Sequence, residues 1–411
     1  MESATSLTAA KHVLLLAGVV LGSGAVCGYI AQRTRIPDIV LYLLAGIVLG
    51  PAVSGLVSLP ANSTLGQLIL IFGASYILFD GGASLRLSVL KEIWITLTAI
   101  ATVGVLVTAL ITAVAAHHLL GLSWLSALLL GSVIASTDPA TLVPVFKQVR
   151  VRERLAQAVT SESAFNDAMG AILTFTILGI AVGTREFSPL TSFESLLLQA
   201  GIGIGSGLVL GYLAAFLIGH HRYGFFREYA PLVTLMAVAG AYLGADDMHA
   251  SGFMAVFVAG IIIGNRELFG FRLEPGETRR LLEYVDITSL VMRVFIFILL
   301  GMQVNFSLIG AHLWGSLGVV LVFMLLARPV TVLLCAAPDR RARWSWRELL
   351  FMCWTRETGV IPGALAGLLI GGGAPAADII AGVTFVAILV TILVQATTTR
   401  WLATRLDLMQ E

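Results

Sequence analysis

Apolar runs of about 20 residues, each long enough as a helix to cross a bilayer, recur along almost the whole chain. Thirteen of them are read at 11–31, 36–56, 65–85, 93–116, 123–146, 155–183, 191–219, 230–246, 250–265, 282–302, 311–336, 347–371 and 375–400. Polar residues gather in the short connections. The pattern predicts an all-α polytopic membrane protein of about 13 transmembrane helices, with residues 1–402 as a single transmembrane unit and 403–411 as a short cytoplasmic tail.

Two of these runs are interrupted. The fifth is broken by Ser136, Thr137, Asp138 and Pro139, and the twelfth by Thr355-Arg356-Glu357-Thr358-Gly359, followed by Pro362-Gly363. Spans one to six (11–183) and eight to thirteen (230–400) form two six-span units joined by a linking span at 191–219. A shift of seven spans is odd, so the second unit would lie inverted relative to the first. Polar and Pro/Gly breaks at corresponding places in two halves point to the binding site of a transporter. Unwound backbone at that depth survives only where protein or a water-filled cavity covers it.

The basic residues test this layout, because Lys and Arg accumulate in cytoplasmic loops. With the N-terminus outside, the loops holding Arg33, Arg86, Lys147, Arg150, Arg227, Arg272, Arg340 and Arg405 all fall inside. Only Lys11 and Arg185 fall outside, and Arg293, Arg328 and Arg356 lie within spans. A missed span would scramble this alternation. The expectation is a multi-pass protein of the cell membrane, N-terminus outside and C-terminus cytoplasmic.

Composition narrows the function. Of 411 residues, 58% are hydrophobic and 12% charged, against about 25% charged in soluble domains. No basic tract suggests a nucleic-acid partner. Cys27, Cys335 and Cys353 have no pairing or metal-ligand spacing. No cleavable signal is evident, and no soluble domain fits before residue 10 or after about 402. His117-His118 and His220-His221 lie at span ends, where pH sensing is a better reading than a metal site. No nucleophile–histidine arrangement and no ATP-binding motif is present, so an enzyme is not expected. No cofactor is called for, and the energy must come from an ion gradient.

The chemistry lies in the broken fifth span and in the sixth. Pro139 has no N–H and disfavours a helical Asp138, so the helix should open there and free backbone carbonyls. Those carbonyls and the Thr137 hydroxyl are hard oxygen ligands for a small dehydrated cation. In the sixth span Glu162 and Asn166, and likewise Ser163 and Asp167, stand at i, i+4 and form a polar stripe. A charge at the bilayer centre costs about 2.5–3.5 kcal/mol on insertion scales, so intramembrane carboxylates mark a function. Burial penalises the charged form of Asp167, so its proton should exchange near neutral pH. Such a carboxylate can trade a proton for a cation, and that competition alone couples two fluxes. Glu162 is expected to pair with Arg356, since a lone buried charge is far costlier than a paired one. Arg293 is a second buried cation that could support the site, and Arg328, before Pro329, is expected to snorkel to the cytoplasmic side.

Ser136-Thr137-Asp138-Pro139-Ala140 followed by Glu162-Ser163-Ala164-Phe165-Asn166-Asp167 resembles the paired signature of monovalent cation:proton antiporters, the NhaP/NHE-type sodium/proton exchangers. Leu78-Phe79-Asp80-Gly81-Gly82 and Ala259-Gly260-Ile261-Ile262-Ile263-Gly264-Asn265 extend the resemblance over nearly the whole chain. It implies two inverted repeats with broken crossing helices, a homodimerisation domain and a moving core domain. It implies Na⁺ bound by Asp167 with Asp138, Ser163 and Thr137, and a Glu162–Arg356 ion pair beside it. In this family Asn-Asp goes with electroneutral exchange, which assigns Asn166-Asp167 to that group. Glu357 departs from the family, where many members carry a neutral residue.

The reading is therefore a secondary active Na⁺/H⁺ antiporter working by alternating access, its partners Na⁺ (or Li⁺), H⁺ and the lipid bilayer. A K⁺/H⁺ antiporter is the nearest alternative, since selectivity depends on cage size and ligand number. A Na⁺-coupled organic anion symporter would need Arg293 or Arg356 left open to an anion. A passive channel would need a selectivity-filter loop, and none is present.

Overall fold

A computed structural model describes residues 2–34, 36–137, 146, 151–184 and 189–409. It is all-helical; the described residues contain no strand, only an isolated bridge between Val151 and Met409. In chain order the helices are α1 (Glu2–Thr34), α2 (Asp38–Leu49), α3 (Thr64–Ala83), α4 (Leu87–Leu120), α5 (Trp124–Ala135), α6 (Glu153–Ala181), α7 (Pro189–Gly219), α8 (Ala230–Asp246), α9 (Gly252–Gly264), α10 (Pro275–Met302), α11 (Phe306–Cys335), α12 (Trp346–Trp354), α13 (Val360–Gly371) and α14 (Ala377–Arg405). Eight of them are long and apolar enough to cross a membrane, and α2, α5, α8, α9 and α13 are shorter apolar helices.

Local chemistry sets the boundaries. Ser63, Ser123 and Ser251 cap α3, α5 and α9 by accepting hydrogen bonds from backbone N–H groups three residues on, which satisfies donors that a helix start leaves open. Ser345 and Glu348 form a reciprocal capping box at the start of α12. Gly121 closes α4 in the left-handed conformation, φ 66°, which costs glycine little. Between α8 and α9, His249 is left-handed and Ser251 opens the next helix, so the short eighth and ninth spans are separate helices. Three π-helical segments, at Ile100–Gly104 in α4, Phe323–Ala327 in α11 and Ile392–Ala396 in α14, interrupt otherwise regular helices. Each shifts the register of whatever follows it.

Glycines bring α3 and α9 into backbone contact. A Cβ on Gly260 would lie 2.2 Å from the Phe79 carbonyl oxygen, and one on Gly82 2.3 Å from that of Phe257. Small residues at such crossings let helices approach where lipid offers no hydrophobic drive to association.

The basic loops meet at one end of the bundle. There Arg152 N–H donates to Leu408 O (3.2 Å), Arg86 pairs with Glu153 (2.7 Å), and Asn265 bonds both Leu85 and Leu87 in the α3–α4 turn. Asp339, in the loop after α11, is the buried centre of this end. It accepts from the Thr96 hydroxyl (2.6 Å) and from the N–H groups of Thr96, Arg341 and Ala342, while the Trp344 indole donates to the same Thr96 hydroxyl (2.9 Å). Burial opposes the charge on Asp339, but the Thr96 hydroxyl and then the three N–H groups together outweigh it and hold the carboxyl below its ordinary value. The stabilisation is therefore present above the unfolded-state pKa of about 3.9 and fades as pH falls through the lower folded value. Asp339→Asn should lower stability at neutral pH by about 1–3 kcal/mol. In melting curves of purified protein, the gap to wild type should close only in strong acid.

Candidate ion-binding site

The α5 helix stops at Ala135, and Ser136 continues in extended conformation (φ −69°, ψ 142°). This delivers the Ser136 hydroxyl and the Thr137 N–H (3.0 Å) to one carboxylate oxygen of Asp167, on the facing side of α6. The Thr137 and Ser163 hydroxyls share a hydrogen bond of 2.9 Å. Gly170, one turn beyond Asp167, lets the end of α5 come this close: a Cβ there would lie 3.1 Å from the Ser136 Cβ. Asp167 is 5% exposed, and Ser136, Thr137 and Ser163 are buried around it. The result is a carboxylate among hydroxyls within an apolar bundle, a donor set suited to a proton or a hard monovalent cation. Asp138, expected to be a further ligand, lies outside the described residues.

The ion pair beside it differs from the expected one. Glu162 is gripped through both oxygens by Arg328, with the second contact at 2.9 Å, and Arg328 Nε donates to Met352 O (2.7 Å). Arg328 is 1% exposed and does not snorkel. The cause is the π-segment Phe323–Ala327 directly before it, a register shift that turns the guanidinium inward and that a 3.6-residue period does not reveal. Pro329 is accommodated in the first turn that follows. Asn166 donates to Glu162 (3.3 Å), so it serves this pair in the described contacts.

Arg356 has another task. Its Nη2 donates to the carbonyl of Ala135 (2.6 Å) and its Nη1 to the Thr108 hydroxyl (3.3 Å), and its guanidinium lies over the Phe323 ring. A cation at the carbonyl end of α5 satisfies an orphan acceptor and complements the helix dipole. The expected Glu162–Arg356 pair is thus replaced by Glu162–Arg328, with Arg356 as the C-terminal cap of the broken helix. Its span is itself open over Thr355–Gly359, between α12 and α13. Gln395 donates to Trp354 O (2.6 Å) and the Thr391 hydroxyl accepts from Thr358 N–H (3.1 Å), so α14 satisfies part of the unwound backbone. Pro362 sits inside the first turn of α13, so the break falls before it. Arg293 is half-buried on α10, close to Tyr42 of α2.

Sequence reasoning missed Ser136 as a donor to Asp167, although it directly precedes Thr137 in the same break. It also missed Thr108, which bonds Arg356 and, at 2.9 Å, Thr331 of α11. A threonine inside an apolar span carried no distinguishing signal.

A buried carboxylate held at the break of one helix, with a second broken helix capping that end, defines a secondary ion transporter. The chain belongs to the sodium/hydrogen exchanger family, whose transmembrane family model matches residues 21–405. It is 33% identical over 364 residues to Na(+)/H(+) antiporter 1 of Methanocaldococcus jannaschii, covering 85% of this chain and 81% of that one. It is 29% identical to the K(+)/H(+) antiporter NhaP of Alkalimonas amylolytica, covering 96% of this chain and 68% of that one. The fold matches the structure of the sodium proton antiporter MjNhaP1 from M. jannaschii at pH 8, with TM-score 0.84 at 30% identity over 96% and 98% of the two chains.

Proposed function

We propose that this protein exchanges Na⁺ for H⁺ one for one, the two ions competing for Asp167. The observation that carries this is the cradle itself: one buried carboxylate, two donors from the open end of α5, and the Thr137 and Ser163 hydroxyls alongside. A single exchangeable carboxylate carries either ion across with the same charge, which makes the cycle electroneutral. Asp138, Ser163 and Thr137 would complete the Na⁺ cage. Engagement of Arg356 with Ala135 and Thr108 removes one of the two arginines that organic anion symport could leave open to the anion, which favours antiport.

Two inverted repeats are supported by matched features seven spans apart: π-segments in α4 and α11, and breaks after α5 and after α12. Convergence of the basic loops at one end supports a cytoplasmic assignment for that end. Homodimerisation is part of the same reading.

Protein in liposomes with an acid interior tests it. Added Na⁺ or Li⁺ should collapse the pH gradient at a rate independent of membrane potential. Collapse with K⁺ alone would keep the mechanism and change the cargo, the reading that the similarity to an NhaP K(+)/H(+) antiporter favours. No response to any alkali cation across pH would refute antiport.

A further inference from the structure

Two histidine pairs stand at helix ends, and one ring of each is bonded in an opposite sense. At the end of α4, His117 Nδ1 lies 2.7 Å from the carbonyl oxygen of Leu122, so this nitrogen carries a hydrogen whether the ring is neutral or charged. At the end of α7, His220 Nδ1 accepts from the Arg222 N–H (3.1 Å) and from the Tyr223 N–H (3.0 Å). An imidazole nitrogen that accepts holds no proton. A proton taken up at His220 Nδ1 would set three N–H groups against one another and break both bonds. Those bonds close the turn between α7 and α8, in which the Gly224 N–H (2.8 Å) and Arg227 Nη2 (3.2 Å) also donate to His220 O. Gly219 O accepts from the Arg272 N–H (2.9 Å), which ties the turn to the connection between α9 and α10. The His220 ring is half-buried there, its centroid 4.7 Å from that of Phe216 and 6.1 Å from that of Phe271.

We propose that His220 is a proton-operated latch: the neutral imidazole holds the α7–α8 turn closed, and protonation releases it. Histidine takes up a proton between pH 5 and 8, so the protein has a response to acid at this turn that is separate from Asp167. The charged and titratable groups of the turn are His221, Arg222, Tyr223, Arg227 and Glu228, and the connection packed on it brings Arg266, Glu267, Arg272 and Glu274. Of these, His221 alone belongs to a residue type that titrates in the same range, and it is exposed. The carboxyl end of α7 favours an imidazolium, and the neighbouring guanidiniums of Arg222 and Arg227 oppose one. Neither relieves the conflict of three N–H groups at Nδ1. The latch does not depend on the antiporter reading.

The test is amide hydrogen exchange of the purified protein at two pH values, about one unit above and one unit below the ordinary imidazole value of about 6.5. Each rate is referred to that of an unstructured chain at the same pH. Protection of the Arg222 and Tyr223 N–H groups in wild type should fall about tenfold from the higher pH to the lower, because a freed ring is then about ten times more often charged than neutral. His220→Asn places Oδ1 where Nδ1 stands, an acceptor for both N–H groups that takes up no proton. Its protection should be the same at both pH values, while His221→Asn should respond as wild type does. Equal wild-type protection at the two pH values overturns the proposal, and so does a lack of protection at the higher one. A fall in His220→Asn as large as that in wild type assigns the response to another group and overturns it as well. If His220→Asn does not fold, wild type and His221→Asn decide: the response must appear in the first and persist in the second, and its loss in His221→Asn overturns the latch.

Discussion

Replacing Asp167 with asparagine should reduce cation-driven proton flux to the level of empty liposomes while leaving the protein folded. The amide is nearly isosteric, and its oxygen can still accept from the Ser136 hydroxyl and the Thr137 N–H, so the end of α5 should stay in place. The change removes the carboxylate that, among the described residues of the cradle, can be neutralised alternately by a proton and by a cation. It also removes a buried charge, so the melting temperature should hold or rise. Coupled exchange surviving in a folded Asp167→Asn protein would remove Asp167 from the transport site.

The second large effect belongs to Arg328. Arg328→Ala leaves Glu162, itself 3% exposed, with an uncompensated charge among apolar helices. Breaking a buried pair from one side costs about 3–5 kcal/mol, whereas replacing both partners by well-packed apolar residues is often neutral. Arg328→Ala should therefore lose expression and melting temperature, and the double change Glu162→Leu, Arg328→Met should regain much of the stability. A single variant as stable as wild type would show that this pair does not hold the bundle together. Arg356→Ala differs in kind: it uncaps the carbonyl end of α5.

The contrast between these two arginines shows what the sequence could convey. The run of apolar spans, the two breaks and Asp167 were legible because each rests on composition: an acid or an open helix inside an apolar stretch has few explanations. The partner of Glu162 was not legible. Choosing between Arg328 and Arg356 requires helical phase, and the π-segment at Phe323–Ala327 resets that phase without an unusual residue. Nor could the string show that an arginine placed at one break serves the other. Arg356 and Ala135 are 221 residues apart and meet only in the folded bundle.

The close crossing of α3 and α9 has a mechanical meaning. Helices slide past one another when intervening side chains can change rotamer as they pass, and packed interfaces otherwise resist continuous deformation. At Gly82 and Gly260 no such padding exists, because backbone lies on backbone. These two helices are locked like a keyed joint. On its other side α9 meets α6 through the rings of Phe165 and Phe257, with centroids 4.9 Å apart. That seam, with Phe165 two residues from Asp167, is padded by side chains and lacks the backbone lock of the α3–α9 crossing.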